Sequence, residues 1–455
     1  MRGGLGMTEE KCLEIAVRAV EEAQKKGAEL SESYVSHSKQ LYIDVREGDV
    51  ETVKVTDETG LAVRLIKDNK MGFVFTTALN YESIQQIIEQ ALHNAAKTSA
   101  DEYNLLPGPS NEYPSLDIYD PRISEVSVEE KIEIAKEIER VGRAYDPRIK
   151  VTESCTYQDA VYVSALANSR GIAVSYSGTL AGATSYFVAE ENGESQTGFG
   201  LEFGVTYDAV QPGKIGEEGA AKAVRMLGAK TMPTQKTVAV FDPYIVTNFL
   251  DILAPAVCAD AVQKDKSLLA GKIGQKVASE LITIVDDGRM AGGIMSSPFD
   301  GEGVKTCTTT VIRNGVLEHY LYNTYTAAKE GCCSTGNGIR SSSYKGTPEV
   351  DTTNFYIEPG KVSQAELIKD VNKGIYITEV MGMHTANPIS GDFSVGVSGL
   401  LIENGELTTP VRGVAIAGNI LELFRSVDCV ANDLRFFVGK GAPTIRVDSI
   451  TVSGS

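Results

Sequence analysis

Helical and strand patterns occur in separate groups along this chain rather than in strict alternation. A helical pattern spans Thr8 to Lys26, and alternating apolar residues then mark strands between Leu41 and Phe75. Strand patterns return after Val151 and dominate again in the second half. A doubly wound parallel sheet needs a helix after nearly every strand, so this grouping favours an α+β fold.

Cap residues indicate where several helices begin and end. Thr8 can cap the first helix and Gly27 ends it, while a second helix begins near Asn80. Ser127 and Glu130 have the spacing of a capping box, which satisfies two orphan N–H groups and predicts the start of a third helix. Further helices are predicted over residues 216–227, from residue 363 onward and over residues 421–427.

Turn residues predict several hairpins. The dipeptides Asn314-Gly315 and Asn404-Gly405 lie between short apolar runs. Each supplies the two positive-φ positions of a type I′ turn, so both predict β-hairpins in the second half. Residues 61–75 predict another hairpin, in which the alternating aromatic residues Phe73 and Phe75 are interpreted as core residues.

The length of 455 residues exceeds what one hydrophobic core usually organises, so we expect two domains. The boundary is predicted where a helical pattern ends at Gly228 and Pro233 follows. Residues 1–232 would form an N-terminal α+β domain, with helices packed on an antiparallel or mixed sheet. Residues 233–455 would form a strand-rich C-terminal domain with a few helices.

Composition narrows the range of partners and compartments. Lys and Arg total 43 against 61 Asp and Glu, a net charge of −18 that repels the phosphate backbone of nucleic acids. The apolar runs are too short to span a bilayer, and the first ten residues lack the apolar core of a secretory signal. Seven scattered cysteines, an odd number, are typical of reduced thiols. We therefore expect a cytoplasmic protein that binds neither nucleic acid nor membrane.

The residues alone contain no recognisable catalytic motif. A helical pair of metal-binding histidines one turn apart is absent, because the chain has only His37, His93, His319 and His384. Ligands brought together from distant strands remain open. Ser398 lies in a segment close to a nucleophile elbow, but Leu400 stands where the second flanking Gly should be.

Cys332 and Cys333 form a vicinal pair in a Gly-rich region. A His-activated thiolate is one interpretation of this pair, and two small structural side chains are the simpler one.

Twelve segments in consistent order resemble the TldD/PmbA family. Among them are Asp-Gly-Glu-Gly at residues 300–303 and Ser-Thr-Gly-Asn-Gly at residues 334–338. The others are residues 60–65, 71–77, 279–281, 285–287, 311–317, 391–394, 401–405, 417–419, 432–434 and 443–447. These segments extend over most of the chain.

The resemblance implies a division of labour between two kinds of chain. TldD-type chains carry His-Glu-x-x-x-His on a helix early in the C-terminal domain and a Cys ligand near the C-terminus, both binding zinc. A gap-free count back from residues 272–281 places that motif at residues 250–255, yet no His lies between His93 and His319. Residues 432–455 contain no Cys. The family therefore implies a TldE/PmbA-type chain without metal, cofactor or catalytic residues of its own.

Such a chain would pair with a zinc-bearing TldD-type partner as a heterodimeric peptidase for unfolded or modified peptides, and the family also implies a homodimer when the chain is alone. The predicted peptide-binding residues are Gly391, Asp392, Phe393 and Ser394. A structural turn, in which the Asp carboxylate accepts from nearby N–H groups, is the alternative for this segment.

Two further functions remain open at this point. One is a self-sufficient hydrolase that uses a Cys or Ser nucleophile. The other is a homo-oligomeric binding or regulatory protein of the gyrase-modulator kind.

Overall fold

The computed structural model describes residues 7–454. Residues 1–6, part of the segment that argues against a secretory signal, lie outside the described residues, as does residue 455. Grouped helices and strands confirm the α+β class. The elements of the first half are α1 (Glu9–Lys25), β1 (Leu30–Arg46), β2 (Asp49–Lys67), β3 (Lys70–Thr76), α2 (Tyr81–Lys97), α3 (Arg122–Glu125), α4 (Val128–Tyr145), β4 (Ile149–Asn168), β5 (Ala173–Glu191), β6 (Glu194–Gly204) and α5 (Pro212–Arg225).

The strands of the first half form one antiparallel sheet in the order β3-β2-β1-β4-β5-β6. Successive residues of a strand point to opposite faces of a sheet. One face presents apolar side chains such as Ile43, Leu65 and Phe187 to helices α1, α2, α4 and α5. The other face carries Tyr34 and Arg64, which contact residues of the second half. The first half thus has one helix-covered face and one face turned toward the rest of the chain.

The second half contains two larger sheets and a small two-stranded one. Its elements are β7 (Gln235–Phe241), α6 (Pro243–Val257), α7 (Ala259–Gln263), β8 (Ile284–Asp287), β9 (Thr308–Arg313), β10 (Val316–Leu317), α8 (Thr324–Glu330), β11 (Gly338–Ile339), β12 (Glu349–Val350), β13 (Phe355–Ile357), α9 (Gln364–Lys369), β14 (Lys373–Met381), β15 (Asp392–Glu403), β16 (Glu406–Asn419), α10 (Ile420–Arg425), β17 (Val427–Val430), β18 (Arg435–Phe437), β19 (Lys440–Ala442) and β20 (Ile445–Ser453). The domain boundary at residues 232–233 stays a prediction.

Helix α6 organises the core of the second half. One large sheet has the order β16-β15-β14-β7-β20-β17 and the other β10-β9-β8-β13-β19-β18. Residues of both sheets share one apolar cluster with α6, in which the Phe249 ring packs against Phe241 and Phe393. Helices long and apolar enough to cross a membrane are not found within residues 7–454.

Most cap and turn predictions are confirmed. Thr8 accepts from the Lys11 N–H at 3.3 Å at the start of α1, and Ser127 forms the capping box of α4. The Asn-Gly turns at residues 314–315 and 404–405 have positive φ at both positions, as type I′ turns require. These signals act within a few residues, which is why the sequence alone is sufficient for them.

Two details differ from the sequence interpretation. Phe75 is 45% exposed, so its assignment to the core is wrong. The register of β2 and β3 places Phe75 opposite Ala62, on the face away from the helices, where its ring lies 5.9 Å from that of Tyr344 and 6.3 Å from that of Phe73. Helix α5 begins at Pro212 rather than at residue 216, because Pro is favoured in the first turn.

Candidate functional site

A cleft runs between the first sheet and the second half, and two adjoining cavities open along it. The first cavity, the α6 cleft, has a volume of about 440 Å³ and is lined by β6, α6, residues 351–353 and residues 437–440. The second, the tyrosine chamber, has a volume of about 370 Å³ and is lined by β1, β4, β5 and residues from 294–301. Met295 and Val438 line both cavities, so the two are neighbours.

Helix α6 supplies one wall of the α6 cleft. Asp242 caps the helix by accepting from the Tyr244 N–H at 3.0 Å, and Pro243 occupies the first turn. Most of its side chains are buried between the two sheets, whereas Tyr244, Asn248 and Asp251 line the cleft. Their spacing of four and three residues places them on one side of the helix.

Two carboxylates and one ammonium group lie at the floor of the α6 cleft. Lys440 Nζ donates to Thr352 Oγ1 at 2.9 Å and lies 3.9 Å from Asp251 Oδ1. Burial raises the pKa of Asp251, the Lys440 ammonium lowers it and the Asp351 carboxylate raises it again. Asp251 and Asp351 are acidic and Lys440 is basic, so the described lining has one more negative than positive charge.

A buried carboxylate supports this floor from behind. Asp286 accepts from Asn337 Nδ2 at 2.7 Å, from the Thr353 N–H at 2.6 Å and from Thr353 Oγ1 at 2.9 Å. Burial raises the pKa of Asp286 to about 6, although these hydrogen bonds pull it down. Because Thr353 also lines the α6 cleft, the contacts of Asp286 hold part of the cleft wall in place.

Val438 lies at the junction of the two cavities in a strained conformation. Its φ is +59°, which is rare for a β-branched residue, and its side chain is 44% exposed. The turn that contains it is held by the Phe437 ring, 5.1 Å from the ring of Tyr244, and by two 2.8 Å hydrogen bonds from Arg435 to Glu218. Strained residues often cluster at functional sites, and the packing around this turn maintains the strain.

The side chains of the α6 cleft do not fit a zinc ion. Within residues 250–255, Leu250 points into the core and Asp251 into the cleft. The turn across the cleft contributes Val438, Gly439 and Lys440 rather than a thiolate. Zinc sites require imidazole, thiolate or several carboxylate donors, and an ammonium group competes with a metal cation. Across residues 7–454, the structure holds no group of three or more His, Cys, Asp and Glu placed to bind a metal.

Residues 300–303 and 334–338, two of the family-like segments, are hydrogen-bonded to each other, and the first of them also contacts the first sheet. The Gly301 N–H donates to the Gly338 carbonyl at 2.6 Å. Glu302, fully buried, lies 3.3 Å from Arg64 of the first sheet, and Arg64 in turn lies 2.7 Å from Glu32. Arg340 also pairs with Glu32. These ion pairs form a buried network between the two halves, beside the tyrosine chamber.

The predicted peptide-binding segment lies at the start of β15. Gly391 has a φ of +81°, and Asp392 accepts from Asn419 Nδ2 at 2.9 Å and from Ser390 Oγ at 2.7 Å. These donors lower the pKa of Asp392. Phe393 is buried against Phe249 of α6, and the described lining of the α6 cleft includes none of residues 391–394. A peptide-binding role for Gly391, Asp392, Phe393 and Ser394 stays a prediction.

The nucleophile candidates lie outside both cavities. Cys332 and Cys333 follow α8 at the surface, and burial together with the Glu330 carboxylate raises the pKa of the Cys332 thiol. A raised pKa disfavours the reactive thiolate. Ser398 is 4% exposed and donates to Glu379, a carboxylate whose pKa burial raises. Neither arrangement resembles a nucleophile activated by an oriented base.

Sequence reasoning missed most of the cleft. Lys440, Val438 and Asn248 belong to no motif, and their positions become related only when α6 packs against the hairpin of β18 and β19. The Tyr-rich character of β4 and β5 was the available sign of the tyrosine chamber.

Comparisons with known proteins find similarity to one family over nearly the whole chain. Profiles of the PmbA/TldA metallopeptidase match as domain 1 over residues 32–95, as the central domain over residues 121–227 and as the C-terminal domain over residues 234–454. The metalloprotease PmbA of Escherichia coli O157:H7 is 29% identical over 93% of this chain and 92% of its own length. A metalloprotease of Methanocaldococcus jannaschii is 31% identical over 87% of this chain and 88% of its own.

A solved structure shows the same architecture. A Thermotoga maritima protein named as a candidate modulator of DNA gyrase superposes with a TM-score of 0.90 at 30% identity, covering 97% of this chain and 99% of that one. The fold and cleft define an α+β protein with a cavity between its halves. This chain belongs to the PmbA/TldD metallopeptidase family.

Proposed function

We propose that this chain is the peptide-holding, metal-free subunit of a two-chain zinc peptidase, and that a TldD-type partner supplies the metal. The proposal is based on one observation. The α6 cleft contains the helix on which the family resemblance places the zinc motif, but its walls present Asn248, Asp251 and Lys440. These side chains do not form the donor set that a zinc ion needs before it can lower the pKa of water or polarise a peptide carbonyl.

The edge of the first sheet supports the peptide-holding part of the proposal. Strand β6 is the last strand of that sheet, and its residues Leu201 and Phe203 line the α6 cleft. The Leu201 carbonyl points away from β5 and already accepts from Arg435 Nη2 at 2.9 Å, so a peptide that adds to this edge must pair with other main-chain groups of β6. An extended peptide can add to such an edge through main-chain hydrogen bonds while its side chains enter neighbouring pockets.

The chemistry of the cysteines supports a cytoplasmic location, which we include in the proposal. All seven cysteines in the sequence are free thiols, three of them buried. Reduced thiols persist in the cytosol, whereas secreted proteins tend to form disulfides.

Cleavage of an unstructured peptide tests the proposal. The assay compares this chain alone, a TldD-type chain alone and the mixture, each with and without a chelator. We expect cleavage that needs both chains and that the chelator abolishes. Chelator-resistant cleavage by this chain alone would overturn the proposal and direct attention to Cys332, Cys333 and Ser398.

A variant in the cleft separates peptide holding from partner stabilisation. Phe203→Arg places a bulky charge in the α6 cleft and should lower kcat/KM of the mixture about tenfold, as expected when one apolar contact with substrate is lost. Complex formation, measured by size-exclusion chromatography, should not change. Tyr145→Ala, at an exposed tyrosine on α4, is the matched control and should leave kcat/KM unchanged. Equal activity of both variants would show that the cleft does not hold the peptide.

A further inference from the structure

The tyrosine chamber has aromatic walls that meet edge to face. The rings of Tyr162 and Tyr176 lie 6.2 Å apart at an interplanar angle of 89°, and those of Tyr176 and Phe299 lie 5.1 Å apart at 85°. Aromatic rings attract one another in this geometry at centroid distances of 4.5–7 Å. One more ring placed in the chamber can extend the series.

The hydroxyl groups of the chamber are not all occupied. Tyr34 Oη lies 3.1 Å from Ser164 Oγ, and the Tyr176 hydroxyl is hydrogen-bonded by Ser164 and Ser297. The Tyr162 hydroxyl has no hydrogen-bond partner among residues 7–454. Its ring lies against Gly178, where an added Cβ would come within 2.4 Å of the ring, so the backbone fixes its position. A half-buried phenol of this kind presents a free donor to a ligand.

The charged groups at the chamber already have partners. The Arg340 guanidinium stacks over the Tyr34 ring at 4.7 Å and donates to the Gly301 carbonyl at 2.7 Å. The Asp300 carboxylate accepts from the N–H groups of Glu302, Val304 and Gly338. Neither group is available to neutralise a charged side chain, so the chamber favours an uncharged occupant.

We infer that the tyrosine chamber is a pocket for one aromatic side chain of the peptide held in the adjoining α6 cleft. The inference rests on the proposed function, because the side chain enters from a peptide bound there. Met295 and Val438 line both cavities, so the chamber lies next to the cleft that would hold the peptide. The volume of about 370 Å³ lies within the range of small-ligand sites.

The absence of Trp from the sequence makes a direct test possible. A peptide with a single Trp can be excited selectively, and its fluorescence anisotropy reports binding to this chain without a partner or any cleavage. Peptides that differ only by Phe, Leu or Ala at the Trp position then compete for binding. We expect the Phe peptide to bind about 3- to 10-fold more tightly than the Ala peptide, the range that aromatic pairs give.

Variants test whether the preference for the Phe peptide over the Ala peptide arises in the tyrosine chamber. Tyr162→Ala should reduce the Phe-to-Ala ratio toward one, Tyr162→Phe should retain it, and Tyr145→Ala should leave it unchanged. Melting temperatures report whether each variant is folded. If Tyr162→Ala does not fold, competition between the Phe and Ala peptides for the wild-type chain decides whether the preference exists. Equal competition by the Phe and Ala peptides would overturn the pocket and leave peptide capture intact. Failure of the wild-type chain to bind any of these peptides would also overturn it, while the mixed-chain cleavage assay judges the subunit role separately.

Discussion

The two faces of the first sheet are built from the same strands but have opposite chemistry. One face buries Ile43, Tyr157 and Phe187 beneath four helices. The other places Tyr34, Tyr162 and charged side chains against loops of the second half. Because the helices already supply an apolar core for the first half, the second face is free to form a polar, ring-lined cavity. The helix-covered face thus contributes to stability, and the second face carries the chamber that we propose as a binding pocket.

The largest expected effect comes from the helix-covered face. Phe187 is fully buried, and an added Cβ on Gly142 would overlap its ring. Phe187→Ala should lower the free energy of unfolding by about 3–5 kcal/mol, because it removes apolar contacts and leaves a cavity. Urea denaturation followed by circular dichroism measures the change.

The adjacent residue provides a matched control on the opposite face. Tyr186 is 43% exposed, and Tyr186→Ala should change the free energy of unfolding by less than about 1 kcal/mol. Similar losses for the two variants would contradict the division between the faces.

A smaller effect should appear outside the first sheet, as a pH dependence of stability at Asp286 on β8. The pKa of Asp286 is raised from its ordinary value to about 6, so between about pH 4 and pH 6 the folded chain retains a proton that the unfolded chain has lost. The contribution of this group to stability is therefore greatest below about pH 4, falls as the pH rises to about 6 and is constant above that.

Asp286→Asn removes this titration. The variant should show a flatter dependence of unfolding free energy on pH between 4 and 6, measured by denaturation at several pH values. The same slope in the variant and the wild type would assign the dependence to other groups. Phe187→Ala serves as the comparison, since it should lower stability without changing the slope.

The smallest effect is expected at the junction of the cavities. Val438→Gly relieves a left-handed conformation that costs a non-Gly residue about 1–2 kcal/mol, partly offset by the greater freedom of Gly in the unfolded chain. We expect the free energy of unfolding, measured by thermal denaturation, to increase by at most about 1 kcal/mol. Val447→Gly, at a fully buried strand position, should instead lower stability. A loss of stability at both positions would mean that Val438 is not strained.

Prediction from sequence succeeded where the determinants are local. The capping box at Ser127 and the Asn-Gly turns specify their own geometry, because each hydrogen bond or φ angle involves residues a few positions apart. Helix α6 was not predicted from its residues. It is buried on nearly all sides, so Val246, Phe249 and Leu250 give no amphipathic pattern. Phe75 was misassigned because alternation alone does not say which face of a sheet is covered.

The sequence by itself determined the α+β class, the principal turns and caps, and the lack of a zinc motif, since each depends on residue type at short spacing. Only the tertiary structure decided that Asp251 of α6, Thr352 of a loop and Lys440 of a late strand share one cleft. It also decided which face of the first sheet became a ring-lined chamber. The physical reason is that such sites depend on contacts between segments far apart in the chain, which form only when the helices and sheets pack together.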